Sequence, residues 1–290
     1  MMEETILKKV ITMHKFRWLT FALLALLMVL VPAGTGHAQS LSNRYVQSTT
    51  PTIFFHGFGS SAHAEKYMVD NIMKAGVSKT AIVADVAADG QVTLEGRIPK
   101  GAINPLVEVN FENSRNSDYD LQGQWVKNVI VKLQDTYHFK KMNIEAHSMG
   151  NMAVMYYLLN NCQNKQLPQL QKQVAMAGTF DGAMGWNEPA DLTVNVKTGK
   201  PSKMNDTYQK LLPLRHTYPR QTRVLNIYGD LGNGNDSEVT NNSSKALKYL
   251  LNGRAKSYAE KKITGSHAKH ELLHHNPQVN KILIQFFWGK

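Results

Sequence analysis

Apolar residues recur along most of this chain with two spacings, one typical of strands and one typical of helices. Short apolar or alternating runs predict strands at 51–55, 79–87, 92–98, 106–111, 172–177, 223–228 and 255–263. Helical spacing predicts helices at 64–75, 120–137, 244–251 and 279–288. The two spacings alternate, and 290 residues are enough for one large domain or two small ones.

The first 38 residues have the pattern of a targeting segment. Lysines and an arginine precede an apolar run from Trp18 to Val31, and small residues at Gly36 and Ala38 offer a cleavage site. The run is shorter than the roughly 20 residues that a bilayer span needs. We therefore expect a signal peptide, residues 1–38, cut near Ala38, with an uncleaved membrane anchor as the alternative. Either outcome predicts export, with the protein secreted or held at the cell surface.

Composition and net charge narrow the classes of function that fit this sequence. The formal net charge is +11, but the basic residues are scattered and do not interleave with aromatic residues, so nucleic-acid binding is not favoured. A solvated basic surface is expected, one that suits an anionic cell envelope. Cys162 is the single cysteine, which excludes an intramolecular disulfide and a cysteine zinc site. The absence of disulfides fits Gram-positive export.

Residues 142–159 carry the strongest chemical signal. Alternating residues up to Ile144 predict a strand, residues 152–159 have helical spacing, and Ser148 stands at the corner between them. A serine on such an elbow has an exposed hydroxyl beside the unpaired amides of a helix, where a nucleophile for acyl transfer is useful. The pentapeptide is Ala146-His147-Ser148-Met149-Gly150, with alanine in the first glycine position. A helix N-cap is the simpler explanation for Ser148.

A second motif, His56-Gly57-Phe58-Gly59, follows the strand at 51–55. Glycines at this position let the backbone approach a substrate and direct an N–H toward it. With Ser148 as nucleophile, the main-chain N–H groups of Phe58 and Met149 would form the oxyanion hole. A plain turn after a buried strand is the alternative.

Residues 179–221 are long, polar and weakly patterned. A segment of this length between strands is unusual unless it has a function. We interpret it as a lid or cap before the strand at 223–228, with Trp186, Leu192, Tyr208, Leu211 and Leu212 available as an apolar wall.

The loop after residue 228 offers two candidate acids. Asp230 directly follows the strand, and Asp236 precedes a short polar stretch and a helix. Asp236 is preferred, because its turn resembles the acid turn of many lipases and esterases, and Asp230 would then brace the loop. Turn chemistry alone could also explain both residues. A calcium site built from Asp230, Asn233, Asn235 and Asp236 lacks the spacing of an EF-hand.

Four histidines lie between the last strand and the last helix. We expect His270 to be the general base, with His267 and His274 as alternatives. The string His270-Glu271-Leu272-Leu273-His274 also reads as the H-E-x-x-H zinc signature, but that signature needs a long regular helix and Pro277 follows closely.

In chain order, these motifs resemble an α/β-hydrolase. More narrowly, they resemble a Gram-positive family of unknown function whose members are often described as cell-surface hydrolases. That family has a F-x-H-G-[FY]-G loop, an A-H-S-M-G-[GN] elbow, a D-G-x-V turn and a terminal H-S-x-L-H-x-N-P. This sequence differs from the family pattern at two positions. Ser237 stands where the family usually has glycine, and Glu271 stands where it usually has serine.

The resemblance implies an α/β-hydrolase fold over residues 51–290, after a polar lead-in at 39–50. It implies a mostly parallel central sheet, helices on both faces and a lid before the acid strand. Ser148, Asp236 and His270 would be the catalytic triad, and no cofactor is needed. The expected substrate is a small-molecule or lipid-like carboxylic ester. Peptidase, thioesterase or acyltransferase activity is an alternative, as is a non-catalytic protein that binds the cell envelope.

Overall fold

An eight-stranded sheet runs through residues 40–290, the part of the chain that the computed structural model describes. Its strands are β1 (Thr52–Phe55), β2 (Ala81–Val86), β3 (Val92–Glu95), β4 (Leu106–Phe111), β5 (Lys141–His147), β6 (Gln169–Met176), β7 (Arg223–Asp230) and β8 (Ser257–Thr264). The strand order is β3-β2-β4-β1-β5-β6-β7-β8. All neighbouring strands are parallel except β2 and β3, which form an antiparallel hairpin. The predicted signal peptide and its cleavage site lie outside the described residues.

Helices cover both faces of this sheet. They are α1 (Lys66–Lys74), α2 (Tyr119–Tyr137), α3 (Gly150–Asn161), α4 (Asp206–Lys210), α5 (Leu214–Thr217), α6 (Asn241–Lys245), α7 (Leu247–Leu251) and α8 (Pro277–Trp288). Three short 3₁₀ turns occur at 62–64, 266–268 and 270–272. The mostly parallel α/β-hydrolase architecture expected from the resemblance is confirmed.

Two apolar cores lie on opposite faces of the sheet, because successive side chains of a strand point to opposite sides. In β1, Ile53 and Phe55 pack with α2, α3 and α7, whereas Phe54 packs with α1 and α8. Strands buried on both faces read as continuous apolar runs, which is why β1 was visible in the sequence.

Several element boundaries differ from the sequence prediction for local reasons. The strand predicted to reach residue 98 ends at Glu95, because Gly96 turns the chain with φ +94°. The helix predicted at 244–251 is divided into α6 and α7 at Ala246. Among residues 40–290, no helix has the length and apolar character needed to cross a membrane.

Much of segment 179–221 packs onto the domain. Its buried side chains Phe180, Tyr208, Leu211 and Tyr218 join the core on the α2–α3 face. Trp186 is 54% exposed, and its ring lies 5.8 Å from that of Phe58 in the loop after β1. The part of the segment around Trp186 is therefore next to the His-Gly-Phe-Gly motif.

Candidate active site

Ser148 lies on a strained turn between β5 and α3. Its backbone has φ +53°, a conformation that costs an L-residue about 1 kcal/mol or more. Two glycines allow the close packing of this turn. A Cβ at Gly150 would lie 2.5 Å from the carbonyl oxygen of His56, and a Cβ at Gly57 would lie 2.8 Å from the Cβ of Ser148. Gly57 and Gly150 therefore allow the same close contact, in which the loop after β1 packs against Ser148.

The side-chain amide of Asn151 holds the turn at Ser148 in place by hydrogen bonds to backbone carbonyl groups. Its buried Nδ2 lies 2.8 Å from the carbonyl oxygen of Ala146, 3.1 Å from that of Ser148 and 3.0 Å from that of Met176. The N–H of Ser148 also donates to the carbonyl of Met176, at 2.9 Å. These bonds join the turn to the end of the neighbouring strand β6, so the serine has a fixed position.

His270 connects Ser148 to Asp236. Its Nε2 lies 2.8 Å from Oγ of Ser148, and its Nδ1 lies 2.8 Å from Oδ2 of Asp236. All three residues are buried, with Ser148 the most exposed at 8%. Burial lowers the pKa of His270, but the hydrogen bond and charge of Asp236, with the charges of Glu238 and Glu271, outweigh it, so the pKa is raised above its ordinary value. The structure thus brings together the three side chains that the sequence pointed to.

Asp236 is itself fixed by its turn. Its Oδ1 accepts hydrogen bonds from the N–H groups of Glu238 and Val239, at 3.0 and 2.7 Å, which leaves Oδ2 for His270. Ser237, between them, has φ +90°. This conformation favours glycine and explains why a glycine is usual at this position in the resemblance.

Asp230 does not reach the histidine. Its carboxylate accepts N–H groups from Gly232 and Gly234 at 2.9 and 3.0 Å, and it also binds Asn241 and Lys262. The backbone bonds of Gly232 and Gly234 lower the pKa of Asp230 to about 2. Asp230 therefore braces the loop, as expected for the acid that was not preferred.

Phe58 directly follows Gly57, which packs against Ser148, and Met149 directly follows the serine. Neither of their main-chain N–H groups donates a hydrogen bond to another residue in the described part of the chain. Met149 immediately precedes α3, where helix geometry leaves amide groups unpaired. The N–H groups of Phe58 and Met149 are therefore free of other bonds within the described residues.

Comparison with known proteins identifies the family to which this chain belongs. A family model described as "Alpha/beta hydrolase of unknown function (DUF915)" matches residues 39–290. The chain belongs to this DUF915 family. The Gram-positive resemblance drawn from the motifs is thereby confirmed. Among curated proteins, no sequence matches the chain.

Two solved structures resemble this DUF915 protein over most of its length. The product of gene lin2722 from Listeria innocua has a TM-score of 0.73 and 26% identity, and the match covers 82% of this chain and 94% of that chain. A protein of Lactobacillus plantarum WCFS1, described as a candidate cell surface hydrolase, has a TM-score of 0.66 and 20% identity, with 81% and 88% covered.

A row of tilted imidazole rings packs beside His270 in this DUF915 protein. The rings of His270 and His147 are 4.8 Å apart, as are those of His147 and His274, and those of His274 and His275. The Nε2 of His147 lies 3.2 Å from the carbonyl oxygen of His270. Burial lowers the pKa of His147 well below its ordinary value, and burial lowers that of His274 to about 4. Both are neutral at neutral pH, so they support His270 without competing for its proton.

The H-E-x-x-H string does not form the zinc arrangement. It begins in a 3₁₀ turn at 270–272, and the ring of His274 packs on His147. Among residues 40–290, the one group with metal-ligand spacing is Glu238, His270 and Glu271. Both nitrogens of His270 already face Asp236 and Ser148, so this group is not free to form a metal site. The Asp230 and Asp236 carboxylates are likewise occupied by N–H donors, which argues against the calcium alternative.

Sequence reasoning missed a pair of buried carboxyl groups near the elbow. Glu145 on β5 and Glu65 before α1 are both fully buried, and when one of them is protonated the hydrogen bond runs between their own two carboxyl groups. Glu108 on β4 shares a face with Glu145, because both pair in register with Phe54. Burial, and then the charge of Glu108, raises the pKa of Glu65 to about 8. Burial and Glu65 raise that of Glu145 well above its ordinary value, so the pair holds a proton at neutral pH.

Proposed function

We propose that this protein is a serine hydrolase, similar to esterases and lipases, that cleaves carboxylic esters through an acyl-enzyme. The observation that carries the proposal is the continuous hydrogen-bonded line from Ser148 through His270 to Asp236, with both donor–acceptor distances at 2.8 Å. A nucleophile, a base within hydrogen-bond reach and a third group that orients the base are the features of activated serine catalysis.

In this mechanism, Nε2 of His270 takes the proton of the Ser148 hydroxyl while Oγ attacks the acyl carbon. Asp236 keeps Nδ1 protonated and stabilises the imidazolium that forms. The amides of Phe58 and Met149 donate to the oxyanion of the tetrahedral intermediate. Each such donor typically lowers the barrier by about 3 kcal/mol. His270 then gives its proton to the departing alcohol.

Water completes the reaction. His270 removes a proton from the water, the hydroxyl attacks the acyl carbon of the Ser148 ester, and the carboxylic acid leaves as Ser148 recovers its proton. Every proton passes through one imidazole, so no cofactor enters the reaction.

The exposed apolar side chains around the serine support a small-molecule or lipid-like ester as substrate. Phe58, Met184 and Trp186 are 43%, 41% and 54% exposed, although large apolar side chains usually avoid water. The N–H of Met184 donates to the carbonyl of Glu238, beside His270, at 2.8 Å. Residues 179–221 thus supply part of the apolar wall, and we propose that they act as the lid or cap of the site.

We further propose that the protein is exported after cleavage near Ala38 and acts at the cell surface. The support is the targeting pattern of residues 1–38. The Lactobacillus plantarum relative is also described as a candidate cell surface hydrolase.

Labelling with a fluorophosphonate probe tests the proposal directly. We expect the wild type and Ser61→Ala to be labelled, and Ser148→Ala to take no label. His270→Ala should react far more slowly than His267→Ala, because His267 does not contact Ser148. A folded wild-type protein that takes no probe, or one that labels equally well without Ser148, would overturn the proposal.

A further inference from the structure

A large cleft of the described residues lies away from Ser148. Its volume is about 1040 Å³. It opens between the loop before β1, the loop after β3 and the loop between α2 and β5. Its lining residues are Thr49, Thr50, Arg97, Ile98, Pro99, Lys100, Gly101, Ala102, Thr136, Tyr137, His138, Phe139, Lys140 and Lys141.

This cleft is at the opposite end of the sheet from the serine. β5 begins at Lys141 in the cleft wall and ends at His147, immediately before Ser148. A strand of seven residues spans about 23 Å. The cleft is therefore too distant to be part of the ester-binding site.

The cleft is strongly basic. Arg97, Lys100, Lys140 and Lys141 line it and are exposed, whereas no Asp or Glu is among the lining residues. None of these four cations forms an ion pair with an acidic side chain in residues 40–290. Helix α2 ends at the cleft with Tyr137, and its dipole contributes only about half a negative charge there. Four unpaired positive charges outweigh that contribution.

The lining of the cleft also contains aromatic and hydroxyl-bearing side chains. The rings of Tyr137 and Phe139 lie 5.8 Å apart, and the residue between them, His138, has φ +61°. The N–H of Ile98 donates to the hydroxyl of Tyr137 at 3.4 Å, which joins the two walls. Threonines 49, 50 and 136 add hydroxyl groups along the lining.

We infer that this cleft binds a linear polyanion, a chain that carries phosphate or carboxylate groups at intervals. Unpaired Lys and Arg attract such groups, and bound counterions released from the chain add to the affinity. The concave shape favours a chain that enters the cleft over a flat membrane surface. This inference does not rest on the proposed catalysis, and it locates the anionic envelope contact that the basic composition only suggested.

The affinity of the protein for two polyanions tests whether the cleft is a binding site. Polyphosphate and polygalacturonate are titrated into the purified protein at about 0.1 M salt, where the screening length is ~10 Å. Neutral dextran and anionic phosphatidylglycerol vesicles are run in parallel. We expect at least one polyanion to bind, dextran not to bind, and vesicles to bind more weakly than that polyanion.

Two triple variants distinguish binding in the cleft from attraction by the positive charge of the whole surface. The cleft variant is Arg97→Gln, Lys100→Gln and Lys141→Gln, and the matched control is Lys256→Gln, Lys261→Gln and Lys281→Gln, all at exposed positions. We expect at least a tenfold loss of polyanion affinity in the first and less than a twofold loss in the second. Ser148→Ala should bind as the wild type does, which keeps this test independent of catalysis.

Three results would overturn the inference. The first is an equal loss in both triple variants, which would indicate non-specific charge attraction. The second is no binding of either polyanion. The third is a preference for vesicles that depends on the cleft, which would make the surface a membrane contact.

Discussion

His270 and Asp236 are joined by two hydrogen bonds rather than one. Besides the side-chain contact at 2.8 Å, the backbone N–H of His270 donates to the backbone carbonyl of Asp236 at 2.7 Å. The loop that carries the acid and the loop that carries the base are therefore tied together by the main chain. A substitution of either side chain leaves the second bond intact, so its effect on chemistry can be separated from its effect on the fold.

Asp236→Asn tests the orientation of the imidazole. The amide keeps the shape of the carboxylate but removes the charge that stabilises the imidazolium and selects its tautomer. We expect kcat to fall by roughly 10³ to 10⁴, the size of effect known for the corresponding change in serine proteases. The melting temperature should change little. Asp230→Asn is the matched control, and its kcat should stay within a few-fold of wild type; equal losses in the two variants would place the acid elsewhere.

The pH dependence of activity should reflect the neutral form of His270. Because the pKa of His270 is raised, kcat/KM is expected to increase with pH through a value above 6.5. Oε2 of Glu238 lies 3.7 Å from Nε2 of His270 and adds to that rise. Glu238→Gln should move the acid limb of the profile to lower pH, because it removes one of the negative charges that raise the pKa of His270. Glu95→Gln, far from the site, should leave the profile unchanged, and an unmoved limb in Glu238→Gln contradicts the assignment.

Ser237→Gly should stabilise the protein. Ser237 has φ +90°, which glycine adopts without steric cost, and the gain is partly offset by the greater freedom of glycine in the unfolded chain. We expect the free energy of unfolding to rise by roughly 0.5 to 1 kcal/mol in urea titrations. Ser61→Gly, at a residue with φ −153°, should give no gain. A loss of stability in Ser237→Gly would mean that the serine hydroxyl supplies a contact worth more than the strain.

The Glu65–Glu145 pair predicts that stability depends on pH. The folded protein keeps a proton on Glu65 up to about pH 8, whereas the unfolded chain releases it near 4.5. The free energy of unfolding should therefore fall as pH rises between these two values. Glu65→Gln should be more stable than wild type at pH 8, by at least about 1 kcal/mol or roughly 2 to 4 °C, and this gain should vanish at pH 5.

Thermal melts from pH 5 to pH 8 check this expectation, with Glu95→Gln as an exposed control. A wild-type melting temperature that stays constant over this range would show that the buried pair does not hold the proton.

The sequence predicted much of the candidate site because each position of the proposed triad carries its own local signal. Ser148 stands at a change of period from strand to helix, Asp236 follows the buried apolar strand β7, and His270 lies in the histidine-rich run after the last strand. Parallel strands bring such loops to one edge of the sheet, so residues far apart in the chain are expected to meet.

Other features were not predictable because they depend on which residues meet in space. Nothing near Glu65 or Glu145 in the chain marks them as buried neighbours, since their contact requires α1 to dock beside β5. Arg97 and Lys141 looked like scattered charges, yet the fold brings them into one cleft. The positive φ of Ser237 was not predicted either, although the glycine that the resembling family usually has at this position is a signal of it.

The separation of the basic cleft from Ser148 has a consequence for how the molecule would work on a surface. A protein held by that cleft would present Ser148 away from the point of attachment, about one strand length out. With the ester cleavage proposed above, it would then cut neighbouring molecules within its reach and leave the chain that holds it intact. Adsorption to an anionic support would immobilise such a molecule with its nucleophile facing the solution.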